Sequence, residues 1–179
     1  MHVFWGKGYA AASLADILEA TGLSKSSLYA SFGDKRTLFL AAFAAYHSGR
    51  MRHLWQSLND RGSARQAIEG FFRRGVANAA NPRPAYGCLI ANEAVELAPH
   101  DAEVQRLVAE DFQAIEDAFA QAVERGQSEG SIRNHKSPQA LARFLLVGLQ
   151  GLQVMARSQT DRSRLDDYVT VMITVLDQA

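Results

Sequence analysis

The chain is short of the features that most directly announce a function. It has one cysteine, Cys88, in 179 residues, so no disulfide can close within it, and that usage fits a reducing compartment. Its 19 Lys and Arg balance 19 Asp and Glu, so the chain as a whole carries no net field that would gather polyanions. The longest apolar stretches, residues 38–46 and 144–155, are too short or too interrupted to span a bilayer. The start lacks the basic-then-apolar layout of a secretory signal, so a cytoplasmic protein with no membrane partner is expected. Catalytic signatures are missing too. The five histidines (His2, His47, His53, His100, His135) are scattered, and the spacing of His47 and His53 points them to different faces of a helix. No serine sits in a Gly-x-Ser-x-Gly setting, and no glycine-rich phosphate loop follows a strand. No enzyme activity, metal or cofactor is expected. Strand-like alternation is absent as well, which leaves an all-α fold.

What is present is concentrated in residues 13–36, SLADILEATGLSKSSLYASFGDKR. Leu14, Ile17 and Leu18 recur at helical spacing after Ser13, a good N-cap, and predict a short amphipathic helix over 13–20. Gly22 supplies the left-handed backbone that a sharp interhelical turn needs. Ser24 caps a second helix that buries Leu28 and Phe32 and leaves Lys25, Ser26, Ser27 and Tyr29 facing out. Gly33-Asp34 ends it and starts a third. A helix-turn-helix sets the first residues of its second helix against base edges. Small hydroxyl side chains there permit close approach, while a lysine and a tyrosine reach phosphates. Charge distribution agrees: residues 1–53 carry six Lys/Arg against three acids, and the remainder carries thirteen against sixteen.

The run from Gly8 to Phe43 resembles the DNA-binding segment of TetR-type (tetracycline-repressor-like) transcriptional regulators. The resemblance is carried by Gly8-Tyr9, Gly22-Leu23-Ser24, Leu28-Tyr29, Phe32-Gly33 and Lys35, followed by an apolar helix. It implies a double-stranded DNA operator as partner, with Tyr29 and Lys35 at phosphate-contacting positions and Ser13 at a helix start that also reaches the backbone. Ala30 and Ser31 replace the aromatic or histidine residues frequent in the family. The family has a full helix before the Gly-Tyr pair; here only residues 1–7 precede it, with Val3, Phe4 and Trp5 as a last turn and Gly8 as its C-cap. Two or three turns are therefore expected to be missing.

Beyond residue 46 the pattern is helical throughout, punctuated at 59–62, 81–84 and Pro99-His100-Asp101. The segment 87–97 is apolar on nearly every side except Asn92, Glu93 and Glu96, and is expected to lie centrally. Ser137-Pro138 is a strong helix start. Phe71, Phe72, Tyr86, Phe112 and Phe119 are either plain core or the wall of a cavity. The resemblance implies such a pocket, for an unidentified small-molecule effector, and Cys88, Asn92 and Glu93 join the candidates. Cys88 reads first as a small core residue, and otherwise as a thiol activated by Arg83. Asn92 and Glu93 need a partner, be it ligand, water or arginine. In the last two helical stretches, Leu141, Leu145, Gly148, Leu149 and Leu152 with Tyr168, Met172 and Leu176 suit either internal packing or a four-helix homodimer seam. The resemblance favours the dimer.

The expected organisation is thus a helix-turn-helix DNA-binding domain over 1–46, its first helix incomplete, and a helical regulatory, effector-binding and dimerisation domain over 47–179. The expected function is ligand-responsive, sequence-specific transcriptional control, most often repression. The alternative is a small-molecule-binding and dimerisation module whose DNA binding is impaired by the incomplete first helix.

Overall fold

The computed structural model describes residues 1–60, 62–79, 86–158 and 161–178, which are helical with no strand among them. The punctuation at 81–84, and Arg83 with it, lies outside the described residues. The elements are α1 (His2–Ala11), α2 (Leu14–Thr21), α3 (Lys25–Phe32), α4 (Lys35–Leu58), α5 (Ala64–Ala79), α6 (Leu89–Glu96), α7 (Ala102–Ser128), α8 (Pro138–Arg157) and α9 (Arg162–Thr174), the last running into a 3-10 turn at Val175–Asp177.

Local chemistry sets the boundaries. Ser13 and Asp16 form a reciprocal capping box at the start of α2, each side chain accepting the other's backbone N–H at 3.1 and 2.9 Å. Gly22, at φ 68°, closes α2 in the left-handed region. The Ser24 hydroxyl accepts from Ser27 N–H at 3.1 Å, and Asp34 accepts from Thr37 N–H at 2.7 Å. Asp101 caps α7 through Glu103 and Val104 N–H, and Ser137 with Pro138 opens α8. Gly8 departs from expectation: it is a kink inside α1 (φ 80°, ψ 170°), and helical backbone resumes beyond it. A Cβ at this position would displace the Glu96 carboxylate, but it is the backbone angle that demands glycine.

Two hydrophobic clusters organise the packing. The larger joins α4 to α5, α7, α8 and α9 around Phe72, Phe119, Ile115, Leu145 and Val169. The smaller holds the helix-turn-helix core (Phe4, Ile17, Leu28, Phe39, Phe43) and continues without a break into Cys88 and Ile90 of α6 and Val104 and Val108 of α7. The head therefore shares a core with the body. The proposed boundary after residue 46 falls inside α4, an uninterrupted helix of 24 residues, ~36 Å long at 1.5 Å per residue. Its first half buries Phe39 and Phe43 in the head and its second half buries Leu54 and Leu58 in the body. Asp111 of α7, fully buried, fixes the middle of α4 by accepting from Arg50 Nη1 at 2.9 Å and meeting His47 Nδ1 at 2.7 Å.

Two expectations need correction. The segment 89–96 is not buried all round, since Val95 is 79% exposed. And α8 does have the length and apolar content a membrane span needs, although only 28% of it is buried within the protomer. Its inner face packs on α7 and α9. At Gly148 the two last helices come so close that a Cβ would press on the Tyr168 hydroxyl.

Candidate DNA interface and effector cavity

Of the eight residues of α3, only Leu28 is buried; Lys25, Ser26, Ser27 and Tyr29 are exposed on its outer side, with Ser24 just before them. Ser24 Oγ lies 2.9 Å from Ser26 Oγ and 2.8 Å from Ser27 Oγ, which gathers three hydroxyls at the positive end of the helix. Lys25 Nζ stands 5.9 Å from the Tyr29 ring centre, and Lys35 Nζ 4.5 Å from that of Tyr9. Neither lysine pairs with a carboxylate among the described residues, so both cations remain available to phosphate. Arg36 is committed instead, to Asp101 and Glu103 of the body. Ser13 is exposed at the head of α2, its hydroxyl engaged in the capping box.

Behind the head lies a cavity of about 570 Å³, inside the range of ~300–1,000 Å³ usual for small-molecule sites. Phe71, Phe72 and Tyr86 line it, and so do Trp5, Tyr46, Arg50 and His53. Trp5 belongs to the head. Its indole N–H donates to Gly87 O at 3.2 Å, and its ring sits 5.0 Å from Tyr46 and 5.7 Å from Tyr86. Arg50, its Nη1 held by Asp111, has an Nη2 with neither solvent nor partner. Such an orphan donor costs about 1–3 kcal/mol, and more when charged. Burial, with the Cys88 thiol beside it, pushes the Tyr46 hydroxyl far above its ordinary titration range and keeps it neutral.

The other candidates stand outside the described lining. Phe119 is fully buried behind Phe72, stacked on it at 5.8 Å. Phe112 packs with the head-side cluster. Cys88 is buried as the N-cap of α6, its sulfur accepting from Ala91 N–H. Asn92 donates to Tyr86 O at 3.0 Å and so acts on the cavity only through that loop. Glu93 is wholly buried, and neither carboxylate oxygen has a partner. Sequence reasoning missed Trp5, Tyr46, Arg50 and His53. The last three recur at positions 46, 50 and 53 on one face of α4, a legible signal; nothing local marks Trp5.

The seam candidates also divide. Leu141, Leu145, Leu149, Met172 and Leu176 face the protomer's own core, Gly148 packs on α9, and Leu152 is half-buried. Tyr168 alone of that set is exposed, beside a surface stripe of Phe144, Val147, Val154 and Met155 on α8 and Val171 on α9. Both faces of α8 are apolar, so periodicity does not say which one turns inward.

Comparison with known proteins settles the classification. Residues 1–42 match the family model of bacterial regulatory proteins of the tetR family, and residues 64–172 match the tetracyclin repressor-like C-terminal domain. The chain belongs to the TetR family of transcriptional regulators. It is 35% identical to the uncharacterized HTH-type transcriptional regulator YezE of Bacillus subtilis (strain 168), over 99% of this chain and 92% of that protein. It is 31% identical to the HTH-type transcriptional repressor ComR of Escherichia coli (strain K12), over 92% and 79%. Among solved structures, a cysteine mutant of the TetR family regulator CifR in complex with a 26 bp double-strand operator superposes with a TM-score of 0.84 at 31% identity, covering 96% of this chain and 90% of that one.

In this TetR-family chain, Glu93 makes stability depend on pH. Burial, reinforced by the neighbouring Glu96 and opposed by Arg157, raises its carboxyl from an ordinary 4.5 to about 7. The folded protein thus holds a proton that the unfolded chain releases. That contribution is complete below pH 4.5 and is lost as the pH rises through about 7. Glu93→Gln removes the loss. The variant is expected to exceed the parent by on the order of 3 kcal/mol at pH 8 and to match it at pH 4. Urea unfolding at the two pH values checks this; an equal offset at both contradicts it.

Proposed function

We propose that this regulator acts in the cytoplasm as a homodimeric repressor that reads a near-palindromic operator and releases it when a small molecule occupies the body cavity. The observation that carries the reading is the outer side of α3, where Lys25, Ser26, Ser27 and Tyr29 are exposed together and the lysine is unpaired among the described residues. Two such helices related by a two-fold axis would enter major grooves about 34 Å apart. Ser13, Ser24 and Lys35 would add phosphate contacts beside them. ComR is named a repressor, and the CifR structure holds operator DNA, which supports the same role here. The short first helix still places Phe4, 2% exposed, in the head core and edge-on to Phe39. That favours a working head over a module impaired by an incomplete first helix. No catalytic step is proposed.

The exposed stripe Phe144, Val147, Val154, Met155, Tyr168 and Val171 is the proposed dimer seam. Four of its residues recur along one side of α8, and a lone protomer would leave this patch in water. Effector control follows from Trp5. A ligand that favours one placement of its indole biases the position of α1, and only such differential affinity shifts the DNA-binding equilibrium.

Two experiments test the reading. Lys25→Ala with Tyr29→Ala is expected to weaken binding to the operator duplex at least about tenfold, with the sedimenting mass unchanged; undiminished mobility shift would remove α3 from the interface. Val147→Glu is expected to convert the dimer to monomer in analytical ultracentrifugation by burying unpaired charges across the two-fold seam. A persistent dimer would place the seam elsewhere.

A further inference from the structure

We propose that the body cavity takes a flat aromatic anion, its ring held among Trp5, Phe71, Phe72 and Tyr86 and its carboxylate or equivalent acceptor seated on Arg50. This ligand class rests on the reading of the body as an effector-binding domain.

Three independent observations converge on it. The first is shape and surface: about 570 Å³ walled by aromatic rings from four separate segments, α1, α4, α5 and the loop before α6. Aromatic walls favour a planar guest, which stacks or meets them edge-on without losing much conformational freedom. The second is charge. Among the described lining residues there is one arginine and one histidine and no aspartate or glutamate. Asp111 offsets one arm of Arg50 from behind the wall, but no carboxylate stands in the described lining itself. A cation entering here would find no acid to pair with, whereas an anion would meet the remaining guanidinium donors.

The third is the orphaned guanidinium arm. Asp111 is fully buried and already divided, one oxygen on His47 Nδ1 and the other on Arg50 Nη1. Its carboxylate does not reach Arg50 Nη2, which lacks any partner. The pair with Asp111 fixes the guanidinium plane, so its unused donors are pre-organised before a ligand arrives. Arg50 is a lining residue whose Nη2 is shut from solvent, so an acceptor that enters the cavity must draw that arm towards the lumen to complete its hydrogen bonding with a charge-assisted contact. His53, one turn further along α4 and exposed, stands at the same wall as a second donor.

The test uses the full chain without DNA, titrated calorimetrically and by tryptophan fluorescence with three probes of one shape: 2-naphthoate, 2-naphthamide and 2-naphthylmethylammonium. The carboxylate is expected to bind about tenfold or more tighter than the amide, with the ammonium weakest. It is expected to perturb Trp5 emission, a change lost in Trp5→Phe, where Trp55 remains as the only indole. In Arg50→Met the carboxylate and amide affinities are expected to converge to within about twofold. The probe ranking on the unmodified chain stands even if that variant fails to fold. Equal affinities, a preference for the ammonium, or binding of none of the three overturns the ligand class. DNA reading is scored separately by mobility shift, so failure of the ligand class and failure of the regulator reading are told apart.

Discussion

The hydrogen bond from the Trp5 indole to Gly87 O, with the ring packed between Tyr46 and Tyr86, is the contact that ties the head to the wall of the body cavity. It joins the first helix of the DNA-reading head to the loop that opens α6, and it does so at the wall of the body cavity. Two further ties repeat the connection. Glu96 accepts from Ala10 N–H at 2.8 Å across the Gly8 kink, and Arg36 clasps Asp101 and Glu103 at the head of α7. These contacts are local, directional and partly exposed, unlike the dispersed packing of the body core. Under the proposed effector control, these ties are the route by which a small change at the cavity wall would be passed to the head.

The sharing of one hydrophobic cluster between head and body gives the same picture at larger scale. Because Phe39 and Phe43 pack with Cys88, Ile90, Val104 and Val108, the head cannot turn freely on α4. Any reorientation must carry α6 along or slide over it. Asp111, holding the middle of α4 through His47 and Arg50, sets where such a movement can pivot. A ligand acceptor on Arg50 would act at that pivot.

How much of this was legible in advance varies with the range of the interactions. The helix-turn-helix could be read almost residue by residue, because Ser13, Gly22, Ser24 and Asp34 act through caps and turns within three or four positions of themselves. The all-α class and the start of α8 at Pro138 follow from equally local signals. The cavity did not. Phe71, Phe72 and Tyr86 stood for either core or cavity wall in the sequence, and Trp5 reaches the cavity from more than 80 positions before Gly87, its hydrogen-bond partner. Phe119, chemically indistinguishable from Phe72, is shut behind it. The seam shows the same limit: Leu145 and Val147 are both apolar, and only the placement of α7 decides that one is core and the other surface.

The central claim, that this chain reads a particular duplex through α3, is tested most directly by footprinting the unmodified protein on the DNA beside its own gene over a salt series. The account predicts one protected, near-palindromic tract spanning two successive major grooves, with affinity falling steeply as salt rises. No protected tract at any salt, or equal affinity for a random duplex, would contradict it.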